Sequence, residues 1–271
     1  MAKIYTLVNQ KGGVGKTTSA INLGAYMGHF GQKVLIIDLD AQANATSSLG
    51  IDKLTIKNGT YEVLIGNAPI SPHILHNPRL KISILPSSPA LAGADVELLD
   101  LDKREFRLRE AIAPIVERYD YIFIDCPPSL SILTVNGLAA ARNGVLIPVQ
   151  CEYLALEGIG QLTQTLKRVQ NSLFPDLKVR GVILTMYDGR TKLAMDVVAE
   201  VRKFFPAQVF QTIIPRSIRL AEAPSYGLPI TIYAPSSSAA QCYAALTREI
   251  LEQDGVHVPA ELEEKVMQNG A

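Results

Sequence analysis

Short apolar runs rich in valine and isoleucine recur along the chain at Ile4–Val8, Val34–Ile37, Ile82–Leu85, Tyr121–Ile124, Val145–Val149 and Val179–Leu184. Runs that are apolar on both faces predict strands covered on both sides. The longer segments between them carry a different period. Ile159, Leu162, Leu166 and Val169 recur at three and four residues between Leu156 and Leu173, and Leu193, Val197, Val201 and Phe204 repeat that spacing. Each set predicts one stripe of an amphipathic helix. Strands and helices in alternation imply right-handed crossovers, so the expected fold is α/β, a doubly wound, mostly parallel sheet flanked by helices. Proline and serine gather at Pro69–Pro78 and Pro86–Pro89, which predicts loops there. No repeat or linker divides the chain, and we expect one domain over residues 1–255 followed by a short C-terminal tail, 256–271.

Composition narrows the function classes. The 271 residues suffice for a large core, and 26 Lys plus Arg balance 26 Asp plus Glu. The chain therefore has no global field that attracts a polyanion or an anionic membrane, and any nucleic-acid contact must come from a local patch. Cys126, Cys151 and Cys242 lie far apart and match no zinc or CxxC spacing, which favours free thiols in a reducing compartment. Cys242 shares the apolar side of a predicted C-terminal helix with Leu246 and Ile250. The start, KIYTLV, has no signal-peptide pattern and no apolar run reaches 18 residues, so the expectation is a soluble, cytoplasmic protein.

The chemistry begins at Val8–Ala20, VNQKGGVGKTTSA, between the first predicted strand and a helix starting near Lys16. The pattern G-x-x-x-x-G-K-[ST] describes a phosphate-binding loop. Here Gln10 stands where its first glycine belongs, and a second lysine, Lys11, follows it. Gly12, Gly13 and Gly15, with Val14 among them, let the backbone turn so that its N–H groups form a nest for phosphate oxygens at the positive end of a helix. Lys16 then reaches the β- and γ-phosphates, Thr17 offers its hydroxyl to Mg²⁺, and Thr18 completes the GKTT set. Such a site also needs a carboxylate at the end of a neighbouring strand. YDYIFIDCPPS supplies Asp125, with Pro127-Pro128 stopping the strand, and VLIIDLDAQ places Asp38 and Asp40 beyond another. Residues two apart at a strand end point the same way, and geometry alone does not choose between these two.

The blocks KGGVGKTT, DLDAQANAT, YIFIDCPPSL, VPVQCEYLALEG, TMYDGRT and IPRSIRLAEAPSYG together resemble the ParA family of partitioning ATPases, in particular the short chromosomal type also called Soj, from about Lys3 to Leu251. This resemblance implies a P-loop NTPase with a deviant Walker A box, using ATP and Mg²⁺, in which Lys11 reaches across a nucleotide-sandwich homodimer to the partner's phosphates. An extra cation beside a γ-phosphate stabilises developing negative charge there. By the same resemblance Asp40 matches the catalytic aspartate, Asp38 becomes a supporting residue, Asp125 is the Walker B aspartate, Pro215 lies on the adenine loop and Met186 flanks the base. Metal contacts then fall to Thr17, Asp40 and Asp125, and catalysis to Lys11, Lys16 and Asp40. The family usually carries Asp-Pro-Gln-Gly-Asn after its second strand, whereas this chain has Asp40-Ala41-Gln42-Ala43-Asn44.

The resemblance further implies slow, partner-stimulated hydrolysis, a ParB-type centromere-binding partner and nucleoid association. It also implies non-specific binding of double-stranded DNA through Arg190 and Arg219, with Lys192, Arg202, Lys203 and Arg216 nearby. A helix-turn-helix ahead of the P-loop is not expected, nor is operator binding. Three rivals share the loop. A MinD-like membrane-associated positioning ATPase needs a basic amphipathic tail, and HVPAELEEKVMQNGA carries three glutamates and one lysine, so no membrane binding is expected. An iron–sulfur reductase needs two cysteines per subunit at a shared cluster. A nucleotide-gated scaffold needs no productive hydrolysis.

Overall fold

The computed structural model describes residues 1–66, 68–153, 155–259 and 262. Seven strands form one sheet: β1 (Lys3–Leu7), β2 (Val34–Asp38), β3 (Leu75–Asn77), β4 (Ile82–Leu85), β5 (Tyr121–Asp125), β6 (Val145–Gln150) and β7 (Val179–Thr185). Their order is β3-β4-β2-β5-β1-β6-β7, and every neighbouring pair is parallel except β3 with β4. Each of the six apolar runs is a strand. The seventh, β3, lies inside the proline-rich segment expected to be a loop. Its sequence, LHN, has one apolar side chain, and Leu75 is 41% exposed. Hydrogen bonding to the edge of β4 makes this strand, so no hydrophobic pattern announces it.

Among the described residues eleven α-helices connect and cover the strands: α1 (Lys16–His29), α2 (Asn44–Ser48), α3 (Thr60–Ile65), α4 (Ala94–Glu97), α5 (Arg107–Ile112), α6 (Ile132–Ala140), α7 (Ala155–Ser172), α8 (Lys192–Phe204), α9 (Ile218–Glu222), α10 (Ile230–Tyr233) and α11 (Ser238–Gln253). Successive strand side chains point to opposite faces. Tyr5, Leu7, Ile36, Phe123 and Leu146 therefore pack on α1 and α11, while Ile4, Leu35, Ile37, Ile122 and Ile124 pack on α3, α5 and α6. A third layer joins β6 and β7 to α7 and α8.

The α7 stripe is buried as its spacing predicts, with Ile159, Leu162, Leu166 and Val169 in that third layer. The α8 stripe is rotated. Val197 and Val201 are buried, but Leu193 and Phe204 are about half exposed, and Ala194 and Phe205 take the inward places instead. Small and large side chains on either flank allow both registers, and packing against β7 selects this one. Cys126 and Cys151 are buried in separate layers, whereas Cys242 is only partly buried against the core. Burial pushes the Cys126 thiol well up, and Cys151 to about 11. The tail expected to argue against membrane binding falls mostly outside the described residues, at 260, 261 and 263–271.

At the end of α11, Asp254 fastens that helix to the starts of three strands. Its carboxylate is 5% exposed and accepts hydrogen bonds from Tyr5 at 2.8 Å, Tyr121 at 3.1 Å and the Arg180 guanidinium at 2.9 Å. Lys3 Nζ stands 3.5 Å away. Arg180 also lies over the Tyr5 and Phe210 rings, 5.8 and 5.7 Å from their centroids. Removing one partner of a buried ion pair strands the other charge, so Asp254→Ala should cost about 3 kcal/mol in urea denaturation. Buried thiols with raised pKa values are unreactive. Ellman's reagent at neutral pH should therefore find Cys242 alone in the native protein, and all three cysteines after denaturation.

Candidate active site

Register builds the site. Leu7 pairs with Asp125 and Asp38 pairs with Asp125, so the last residues of β1, β5 and β2 stand in one row. In an open parallel sheet the crevice beyond such carboxyl ends is where ligands bind. From this row the chain leaves β1, runs through Val8–Gly15 and enters α1 at Lys16.

Gly15 precedes that helix with φ 91° and Gly13 has φ 73°, values that a side chain resists. Gly12 shows no such requirement; a methyl group there would meet the Pro128 Cβ only at 3.9 Å. Val14 is buried, and its carbonyl accepts the Thr185 hydroxyl at 2.9 Å, tying the loop to the end of β7. Gln10, in the place of the expected glycine, donates its amide to Thr165 on α7 at 3.2 Å. Asn9 braces the turn from inside, donating to the Pro148 carbonyl at 2.8 Å and accepting the Lys11 N–H at 3.0 Å. Nothing in the motif had singled out Asn9.

Lys16 is 7% exposed, and its ammonium donates to the carbonyls of Asn9 at 3.0 Å and Lys11 at 3.3 Å. Burial lowers its pKa, and the charge of Asp125 works against that shift. Lys11 differs. It is partly exposed, and its ammonium makes no ion pair or hydrogen bond among the described residues.

Asp38, Asp40 and Asp125 separate into distinct environments. Asp38 is fully buried and accepts from the Thr46 N–H at 2.8 Å, the Thr46 hydroxyl at 2.7 Å and the Asp40 N–H at 3.2 Å. Burial raises its pKa to about 6, and the Thr46 hydrogen bonds hold it from rising further. Asp125 accepts the Thr17 hydroxyl at 2.6 Å on one oxygen. Burial and the neighbouring Asp38 carboxylate push its pKa up to about 8. Its other oxygen, Oδ1, is buried without a hydrogen-bond partner among the described residues. Asp40 has left the strand; one carboxylate oxygen accepts the Gln42 N–H at 2.9 Å, and its charge acts on both Lys16 and Asp125. The following loop keeps a glycine-like shape without the glycine, because Ala43 takes φ 51° and ψ 41°.

An orphaned buried carboxylate oxygen beside a threonine hydroxyl fits a hard divalent cation. Mg²⁺ accepts few protein oxygens and completes its shell with water and phosphate. Beside this set, next to Gly15 and Thr18, opens a cavity of about 200 Å³ lined by Met186, Pro215, Leu220 and Tyr243. Tyr187 and Pro215 form an isolated bridge there, which brings the two sequence-predicted base contacts, Met186 and Pro215, to one pocket. Its mostly apolar walls suit a planar base. A roomier cavity of about 580 Å³ lies at the other end of β2, beside Lys33 and Lys81, away from every motif.

The six basic residues predicted to meet DNA are all exposed. Four already have carboxylate partners: Arg190 with Asp188 at 2.7 Å, Lys203 with Glu200 at 2.6 Å, Arg219 with Glu222 at 3.1 Å, and Arg216 with Glu152. Lys192 and Arg202 have no ion pair among the described residues, and both lie on α8.

Known proteins match this arrangement. A family model described as an AAA domain covers residues 2–179. The chain is 51% identical to the "Chromosome-partitioning ATPase Soj" of Treponema pallidum, over 94% of this chain and 99% of that one. It is 50% identical to the "Chromosome partitioning protein ParA" of Myxococcus xanthus, over 94% and 89% respectively. Among solved structures it resembles the cobyrinic acid a,c-diamide synthase of Mycobacterium smegmatis with bound ADP and magnesium, with TM-score 0.82 and 35% identity over 96% of this chain and 98% of that one. With a glycine-shaped phosphate loop, a row of strand-end carboxylates and relatives of this closeness, the chain belongs to the ParA/Soj family of chromosome-partitioning ATPases.

Proposed function

We propose that this chain is an ATPase that switches between a monomer and an ATP-bound homodimer, binds double-stranded DNA non-specifically as the dimer, and is reset when a ParB-type partner stimulates its slow hydrolysis. Its place is then the cytoplasm, on the nucleoid, and its task the segregation of a chromosome or plasmid. The observation that carries this reading is the convergence of the P-loop lysine, the Thr17–Asp125 pair and the separately held Asp40 at one row of strand ends.

On this reading each residue has a task. The N–H groups of the loop from Gly12 to Thr18 bind the phosphates, and Lys16 neutralises the β- and γ-phosphate oxygens. Thr17, Asp125 and Asp40 would hold Mg²⁺, which would supply screening of the phosphate charge. Asp40 keeps one carboxylate oxygen free of hydrogen bonds among the described residues, and that oxygen orients the attacking water. The base rests between Met186 and Pro215. The unpaired ammonium of Lys11 serves a phosphate held by a second copy, where a cation best stabilises charge in the transition state.

On DNA, phosphates must exchange with the carboxylates that now pair Arg190, Lys203, Arg216 and Arg219. Exposed pairs of this kind are screened by solvent and weakly held, so a polyanion can displace them. The domain range proposed for this machinery is 1–255, and 256–271 is the tail.

Two sets of measurements test the reading. In light scattering with saturating ATP, Asp40→Ala should accumulate as a DNA-bound dimer, Lys16→Ala should lose nucleotide binding, and Lys11→Ala should bind ATP yet fail to dimerise or hydrolyse it; a monomeric Asp40→Ala protein contradicts the switch. In DNA titrations with ATP, Arg219→Glu should weaken binding to every sequence alike and make the log–log salt dependence shallower by about 1 per lost contact. Unchanged binding removes Arg219 from the interface.

A further inference from the structure

We infer that Ser87 and Thr46 are positioning residues for Asp40, locking its backbone so that the free carboxylate oxygen has one direction; this rests on the role given to Asp40 above. Both are fully buried, and neither lies in the P-loop or on a strand that ends in the site.

Ser87 reaches Asp40 because of how β4 ends. Ile37 pairs with Leu85, so the next residues of β2 and β4 run side by side. Pro86 has no N–H to continue the ladder, and pairing stops there. Beyond it the Ser87 hydroxyl donates to the Asp40 carbonyl at 2.8 Å, while the Ser87 N–H donates to the Thr46 hydroxyl oxygen at 2.9 Å. That hydroxyl in turn donates to Asp38 at 2.7 Å, and the other Asp38 oxygen accepts the Asp40 N–H at 3.2 Å. The hydrogen bonds close a ring. Both main-chain polar groups of Asp40 are held by it, its carbonyl also accepting the Ala43 N–H at 2.9 Å within the turn, and the Gln42 N–H holds one carboxylate oxygen. Thr60 supports the ring from below, donating to the carbonyls of Asp38 at 2.8 Å and Pro86 at 3.2 Å.

A ring that served folding alone could close on any strand end. This one closes on the residue that orients the reacting water, and it touches neither Lys16, Thr17 nor the base pocket. Loss of Ser87 should therefore move the rate far more than nucleotide affinity, because Lys16, Thr17 and Asp125 keep their places. Displacing a catalytic group by about 1 Å costs on the order of a hundredfold in rate, so a loosened Asp40 sets a large signal.

The experiment measures partner-free and DNA-stimulated ATP turnover, ATP affinity and thermal melting for the full chain. Ser87→Ala and Thr46→Val should lower kcat by about tenfold to a hundredfold with KM and ATP affinity within about threefold of wild type. Thr46→Ser, which keeps the hydroxyl, should recover most of the rate lost in Thr46→Val. A wild-type kcat in Ser87→Ala overturns the proposal, as does an equal fall in kcat and ATP affinity. If Thr46→Val does not fold, Ser87→Ala, whose loss is a single oxygen, decides alone. Asp40→Ala is measured beside them: normal turnover in that variant refutes the role of Asp40 itself, whereas a dead Asp40→Ala with a normal Ser87→Ala refutes only the positioning ring.

Discussion

Parallel pairing of β2 with β5 sets Asp38 directly beside Asp125, both out of water, and the rest of the site follows from keeping those two carboxylates tolerable. Like charges side by side in a poorly solvated place disfavour ionisation. The protein answers each in its own way. Asp38 receives three donors, two of them from Thr46, and becomes the hub of the loop that carries Asp40. Asp125 receives one donor from Thr17, and its other oxygen is buried without a partner among the described residues, an arrangement that fits a cation. The helix beginning at Lys16 adds its positive end on the same side, and the loop before it has its shape fixed by two left-handed glycines. Binding of phosphate and metal is thus the completion of a charge balance that the strand register leaves open.

Much of this is written in the sequence, and the omissions have physical causes. Six strands announce themselves because burial on both faces demands continuous apolar runs. The P-loop announces itself because its backbone angles demand glycine at Gly13 and Gly15. Asp38 and Asp40, two residues apart, could not be assigned from spacing, because their difference lies in whether the strand ends before or after the second one. Structure resolves it: Asp38 still belongs to β2, and Asp40 does not. The edge strand Leu75–Asn77 was invisible because backbone pairing to β4 and not an apolar run makes it, and the inward turn of Ala194 and Phe205 at the two ends of α8 and the bracing role of Asn9 were invisible because they depend on neighbours distant in sequence. The task expected of Lys11 comes from resemblance to a family alone, because the geometry of one chain does not address a second copy.

The exposed basic residues teach a complementary lesson about neutrality. A chain with equal numbers of acidic and basic groups can still present a cationic face, provided the carboxylates that quench it are held weakly. Arg190, Lys203 and Arg219 each pair with an acid two or three residues away, in open solvent, where the pairing energy is small. Arg216 differs in reaching across to Glu152, which follows β6, and it does so from the strip that walls the base pocket. The cavity beside Gly15 and the exposed Arg216 therefore share a segment of backbone.

Ala43 occupies a backbone conformation that a glycine enters freely. A residue with a β-carbon in left-handed geometry carries about 1 kcal/mol of strain, and it sheds that strain as soon as the segment adopts almost any other shape. The loop bearing Asp40 is thus lightly strained, closed by the hydrogen bonds around it and roughly fivefold less favoured than the same shape with a glycine there. A glycine there would rest in the same place with nothing stored. The alanine makes the held arrangement conditional on its neighbours, so the loop's persistence becomes a property of the surrounding contacts and no longer of the loop itself.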